Sequence, residues 1–246
     1  MSINLELLKK AGLFITGTDI GVGKTLIAGC IAKILSDKGL KVGVFKPIGT
    51  GCHRSWEGLV GYDAEFLADC ANSNLPLSAI NPVSYLTSAA PLVCAANEKR
   101  PVDFNAIKTA YHTVCENADI VIIEGINGVR TPLTIEFDLL DLAAEFNLPV
   151  VIVARPSPGT INHTLMTIDC LYAAQLKIAG AVINGYDATK ATIAENTCHQ
   201  IINQCTGVNI LAIVPFDQTV DVQHQNSGEL TLQPLLECDW EKLAQL

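Results

Sequence analysis

The sequence predicts an α/β fold: one mostly parallel sheet with helices on both faces. Three observations carry this. Short, nearly all-apolar runs rich in β-branched residues recur along the chain, as strands buried on both faces require. Helical patterns alternate with them, and that alternation builds parallel sheets through crossover connections. The first apolar run also leads into a glycine-rich turn that opens a helix, with the sequence Gly17-Thr18-Asp19-Ile20-Gly21-Val22-Gly23-Lys24-Thr25.

Taken in order, Leu13, Phe14 and Ile15 mark a strand at 13–16, and Ile27, Ile31, Ile34 and Leu35 mark a helix at 24–38. The turn between them suits phosphate. Gly21 and Gly23 let backbone N–H groups around Val22 close on an anion. The helix start, running through Leu26, adds free N–H groups and its positive dipole end. Lys24 can reach terminal phosphates, and the Thr25 hydroxyl can ligate Mg²⁺. The chain is therefore read as P-loop NTPase-like, with ATP as ligand. Five residues separate Gly17 from Gly23, where the common motif has four.

Further strands are expected at 41–45, 120–124, 150–154, 178–184 and 210–214. Further helices are expected at 63–70, 103–117, 139–146, 161–175 and 191–205. In the helix at 161–175, Ile161, Leu165, Ile168 and Tyr172 are expected to mark the packed face. The stretch 72–91 carries three prolines and reads as an irregular surface excursion, and the tail after Pro215 is ambiguous until Leu232. Without a repeat or linker, residues 1–246 are taken as a single domain.

With 49% hydrophobic and 17% charged residues, a large core is possible and a long disordered tail is not expected. The net charge of −9, with no Lys/Arg cluster, argues against nucleic acid as a partner. Nine cysteines occur without a Cys-x-x-Cys pair, and several, such as Cys30 and Cys170, sit in helical patterns. Mostly buried free thiols in a reducing cytoplasm are expected rather than a disulfide framework. Residues 1–10 do not read as a secretory signal, and no run has transmembrane length, so no membrane partner is expected.

Ligands of an open parallel sheet sit at the carboxyl ends of its strands. Four places follow from that rule. Lys46, after strand 41–45, begins Lys46-Pro47-Ile48-Gly49-Thr50-Gly51, an irregular turn that brings amides and the Thr50 hydroxyl into play; alone, Lys46 is equally a surface lysine. Glu124-Gly125 ends an apolar run as a Walker-B-type carboxylate would, to meet Mg²⁺; a capping glutamate is the alternative. Asp63 opens a helix, as a site acid or simply as an N-cap. Asn184, before Gly185, could read a base edge through its amide, or could serve the turn.

Together these segments resemble dethiobiotin synthetases, the ATP-dependent carboxylase and cyclo-ligase family of biotin synthesis. The matching residues are Thr16-Gly17-Thr18-Asp19 with Gly21-Val22-Gly23-Lys24-Thr25, Lys46-Pro47 with Thr50-Gly51, Asp63-Ala64, Asn81-Pro82, Glu124-Gly125, and Gly159-Thr160-Ile161-Asn162-His163-Thr164. The likeness runs from about Leu13 to Phe216, and the five-residue glycine spacing is a trait of that family. It implies that Lys24 and the loop amides hold the β- and γ-phosphates, and that Thr25, Asp63 and Glu124 hold Mg²⁺. Lys46 matches the active-site lysine and Thr50 a substrate contact. Gly125, Ile126 and Asn127 belong to the nucleotide site, Asn184 and Gly185 to its adenine end, and Val214, Pro215 and Phe216 to the segment closing over it. Gly159, Thr160 and Asn162 match the helix start that meets the substrate carboxylate across a homodimer interface.

The reaction implied is carboxylation of 7,8-diaminononanoate. One amine takes up CO₂ as a carbamate, the γ-phosphoryl group of ATP passes to the carbamate oxygen, and the second amine closes a cyclic urea with release of phosphate. Two anions must be brought together, which needs concentrated positive charge. Three features depart from the family: Ile20 where threonine is usual, Ile126-Asn127 in place of Ala-Gly, and Arg130 near that loop. They bear on substrate pose and rate, and a relative acting on another amine is one alternative. The other is a nucleotide-dependent switch like the septum-positioning and plasmid-partition ATPases. Against it, Thr16-Gly17-Thr18 carries no second loop lysine, and the end of the chain lacks a basic amphipathic helix.

Overall fold

The computed structural model describes residues 3–246. The chain runs β1 (Gly12–Gly17), α1 (Lys24–Asp37), β2 (Val42–Phe45), β3 (Ile48–Thr50), β4 (His53–Ser55), β5 (Gly58–Val60), α2 (Tyr62–Cys70), α3 (Leu77–Ile80), β6 (Val83–Tyr85) and α4 (Pro91–Asn97). It continues through α5 (Phe104–Glu116), β7 (Ile120–Gly128), α6 (Leu139–Phe146), β8 (Val150–Ala154), α7 (Thr160–Ala173), β9 (Ile178–Tyr186), α8 (Ile193–Thr206) and β10 (Ile210–Pro215). A 3₁₀ turn (Val222–His224), α9 (Leu232–Leu236) and α10 (Trp240–Leu243) finish it.

Six strands form one parallel sheet in the order β10-β9-β8-β1-β7-β2. Side chains alternate across it, which divides the core into two layers. Phe14, Val121 and Ile123 point into a layer with α5 to α8, where Phe14, Phe45, Tyr111 and Phe146 pack their rings together. Leu13, Ile15, Ile120 and Ile122 face the other layer, filled by α1, α2 and the chain's last helices. The tail is fastened there: Trp240 is fully buried and donates to the Leu235 carbonyl, and the Gly12 amide donates to Ala244.

All six expected sheet strands and all six expected helices are present within a few residues of their expected ends. Two expectations need correction. The stretch 72–91 is not simply irregular. It contains α3 and β6, and β6 pairs in parallel with β3 through Ile48–Val83, Gly49–Ser84 and Thr50–Tyr85. Three-residue strands carry too little periodicity to read from sequence. In α7, Ile161, Leu165 and Ile168 pack on the core as expected, but Tyr172 is exposed, and Thr160, Thr164, Thr167 and Leu171 complete the buried face. Threonine methyl groups fill positions that a search for large apolar residues passes over.

Among the described residues no helix is long and apolar enough to cross a membrane. Six of the nine cysteines are buried, and none is disulfide-bonded. Cys205 is exposed.

Candidate active site

β1 ends at Gly17 and α1 begins at Lys24, so the glycine-rich turn lies at the carboxyl edge of the sheet, between the β7 and β8 neighbours of β1. Gly23, at φ 93°, is the N-cap of α1, in the left-handed region that glycine occupies without strain. A Cβ there would also lie 2.0 Å from Asn184 Nδ2. The Asn184 amide donates to the Val22 carbonyl at 2.9 Å, so the end of β9 holds the crest of the loop.

Lys24 is buried, and its Nζ donates to the Asp19 carbonyl at 2.9 Å. Burial and the nearby positive charge of Lys46 bring its pKa down to about 8, against the pull of Glu124, Asp63 and Asp19. Thr25 donates its hydroxyl hydrogen to Glu124 Oε1 at 2.8 Å.

Lys46 leaves the end of β2 and is only 3% exposed. Its Nζ lies 2.8 Å from Glu124 Oε1 and 2.8 Å from Asp63 Oδ2. Burial alone would lower its pKa, but the two carboxylates outweigh burial and raise it well above the ordinary lysine value. Burial raises the Glu124 carboxyl, with Lys46 acting against it. Asp63 is held below its usual range: desolvation opposes this, and Lys46 overrides it. The two carboxylates and the lysine come from α2, β7 and the end of β2, so only the fold joins them.

Glu124 is 1% exposed, and its Oε2 is buried with no hydrogen-bond partner among the described residues. A buried carboxylate oxygen left without a donor is an acceptor prepared for something not in the chain. With the Thr25 hydroxyl and the Asp63 carboxylate, it offers the hard oxygen donors that Mg²⁺ takes alongside water and phosphate. The residues present therefore fit the metal.

A cleft of about 880 Å³ opens over these groups. Residues 21–26 of the loop and helix start line it, as do Lys46, Thr50, Asp63 and Glu124. Ile126, Asn127, Asn184, Gly185, Pro215 and Phe216 complete the expected part of its wall. Other expected residues lie outside the wall. Gly125 faces Leu139 and Phe14 in the core, and Val214 is fully buried. Gly159, Thr160 and Asn162 do form the expected helix start, with Gly159 as the N-cap of α7, but beyond the cleft.

Sequence reasoning passed over Ser88, Arg155, Ser157, Asp217 and Val222, which also line the cleft. Arg155 directly follows β8, so the rule that ligands sit at strand ends could have found it.

Two of the departures noted in the sequence now have a local account. Asn127 adopts φ 52°, a conformation that asparagine tolerates better than most residues and that suits glycine. Arg130 pairs with Asp138 at 3.0 Å, and Asp138 caps α6. Ile20 is 64% exposed and stands between the main cleft and a neighbouring cavity of about 580 Å³ reaching His163 and Met166 on α7.

A phosphate loop, a buried lysine and metal-suited oxygens at the edge of a parallel sheet define a P-loop nucleotide-binding protein. Solved structures agree on the fold. A ParA-family ATPase from Chlorobium tepidum aligns with a TM-score of 0.56 at 16% identity, covering 93% of this chain and 97% of that one. The septum site-determining protein MinD of Pyrococcus horikoshii, complexed with Mg-ADP, aligns at 0.53 and 15%, covering 97% and 95%. Likeness at such identities shows the fold alone.

Sequence relatives are more specific. A family model described as an AAA domain matches residues 11–224. The ATP-dependent dethiobiotin synthetase of Thermodesulfovibrio yellowstonii is 38% identical over 214 residues, 84% of this chain and 89% of that protein. Those of Methanococcus vannielii and Bacillus subtilis are each 33% identical, covering 82% and 83% of this chain and 92% and 87% of their own lengths. The chain belongs to the ATP-dependent dethiobiotin synthetase family.

Proposed function

We propose that this chain makes dethiobiotin, carboxylating 7,8-diaminononanoate with CO₂ and closing the ureido ring, with ATP converted to ADP and phosphate by transfer of its γ-phosphoryl group to the carbamate. The observation that carries the reading is the Lys46 ammonium held 2.8 Å from both Asp63 and Glu124, in one cleft with Lys24 and the phosphate loop. The partition-type switch is not favoured, because its support is the shared fold alone, whereas relatives at 33–38% identity are synthetases.

In this reading Lys24 and the amides of residues 21–25 hold the β- and γ-phosphates. Lys46, kept protonated by its carboxylate partners, offsets negative charge as the phosphoryl group moves to the carbamate oxygen. Thr25, Asp63 and Glu124 would hold Mg²⁺, which would supply neutralisation of phosphate charge and orientation of the transferring group. Asn184 and Gly185 meet the adenine, and Pro215 and Phe216 close over it from the end of β10. Thr50 contacts the diamine. The second amine itself attacks the carbamoyl carbon and expels phosphate, so no protein nucleophile is required. Cys52, near Lys46, has its thiol pushed up by burial, which suits a bystander.

The protein acts as a single domain and as a homodimer in this reading, with Gly159, Thr160 and Asn162 meeting the substrate carboxylate across the interface. A helix N-terminus favours a carboxylate as it favours a phosphate. Buried free thiols support a reducing cytoplasm as its location. The deciding experiment measures phosphate release from ATP, with dethiobiotin followed by mass spectrometry. Release should require both bicarbonate and 7,8-diaminononanoate. Release that ignores either one sinks the reading.

A further inference from the structure

Lys46 sits between β2 and β3, where no sheet ladder holds its backbone. Both of its peptide groups are nevertheless tied to one dipeptide. The Lys46 amide donates to the Ile80 carbonyl at 2.8 Å, and the Lys46 carbonyl accepts from Asn81 Nδ2 at 2.7 Å. Asn81 is itself fixed. It is 4% exposed, its amide also donates to the Val83 carbonyl at 3.3 Å, and its Oδ1 accepts from the Ser84 hydroxyl at 2.8 Å. A Cβ at Gly49 would lie 2.5 Å from Asn81 Oδ1, and one at Gly61 3.5 Å from it. Gly61 precedes α2, the helix that carries Asp63. One buried amide thus stands between the strand leaving Lys46 and the turn leading to its partner carboxylate.

We infer that Asn81 is a positioning residue for Lys46, with Ser84 setting its orientation, so that the lysine meets the reacting group in one geometry. The inference rests on the proposed activity. A side chain held by two short backbone bonds at its own residue cannot drift far, and a misplacement near 1 Å at a reacting centre costs on the order of 10²-fold in rate.

A double-mutant cycle tests this, because residues acting through one another lose activity non-additively. Asn81→Ala in the full chain should lower kcat for dethiobiotin formation about 10- to 100-fold. The Kd for ATP, by calorimetry, should stay within about threefold, since Asn81 does not line the nucleotide cleft. In a Lys46→Met background the same change should cost less than about threefold in kcat. Equal losses in both backgrounds, an unchanged kcat, or a loss confined to ATP affinity would each overturn the role. If Asn81→Ala shows no cooperative melt, Ser84→Ala takes its place in the cycle, and the same three results would overturn the role. A wild-type chain that forms no dethiobiotin overturns the proposed function, and this role with it. An active wild type with additive losses overturns only Asn81.

Discussion

Replacing Lys46 by Met keeps much of the side-chain volume and deletes the charge shared by two carboxylates. Glu124 is 1% exposed, and Lys46 is the only cation within ion-pair distance of it among the described residues. Removing one member of a buried pair costs about 3–5 kcal/mol, because the other is left charged and desolvated. Glu124 can shed part of that by taking up a proton, and half-exposed Asp63 is partly screened by water. The loss should therefore fall near the lower end, about 3 kcal/mol, or roughly 6–12 °C in Tm for a chain of this size.

The pH dependence has a definite sign. Burial already raises Glu124, and losing Lys46 raises it further. An acid with a higher pKa folded than unfolded costs stability as pH climbs above its unfolded value. Asp63 is depressed in the parent, so its stabilising contribution is present above the ordinary carboxylate range and fades as pH falls through its folded value. The Asp63 contribution is already complete at pH 5, so Glu124 alone makes the gap between variant and parent widen from pH 5 to pH 8. Scanning calorimetry in EDTA across that range gives the comparison, and steady-state rates should fall at least about 10²-fold with ATP affinity nearly unchanged. Equal Tm values at pH 8 would refute the buried pair, and wild-type turnover would remove Lys46 from the mechanism.

Lys24→Ala should fail differently, weakening ATP binding as well as turnover, because Lys24 lines the cleft beside the loop proposed to hold the nucleotide in the ground state; calorimetric titration separates the two, and unaltered ATP affinity would contradict the assignment. Ile20→Thr should raise turnover, by roughly 10- to 150-fold if its hydroxyl bonds a charged group mainly in the transition state, with little change in ATP affinity. A flat or lowered rate would mean that the missing hydroxyl is no defect. Sedimentation at assay concentration should find a dimer formed partly by α7, whose Met166 and Tyr172 are exposed in the single chain; a fully active monomer would discard the shared site.

The nucleotide-binding end of this protein was legible because its signals are local. Residues 13–35 hold a strand, a turn and a helix whose glycines, lysine and threonine are contiguous, so backbone geometry and phosphate chemistry coincide within a few residues. The other strands were visible for a related reason: burial on both faces makes each an unbroken apolar run. Lys46, Asp63 and Glu124 could be nominated one by one as residues after strands or at a helix start. That both carboxylates grip the same ammonium came only from the sheet order, which sets β2 beside β7, and from the packing of α2 against α1. On α7 only Tyr172 departs from the expected packed face: Ile161, Leu165 and Ile168 do pack on the core, and threonine methyls share that face because they bury as well as larger side chains once a neighbour covers them. Residues 72–91 looked formless because α3 and β6 are too short to show a period and are stabilised by partners far along the chain. Hydrogen bonds such as that from Asn81 to Lys46 link residues 35 positions apart. No local pattern encodes them, since each partner's sequence is compatible with many neighbours until the core closes.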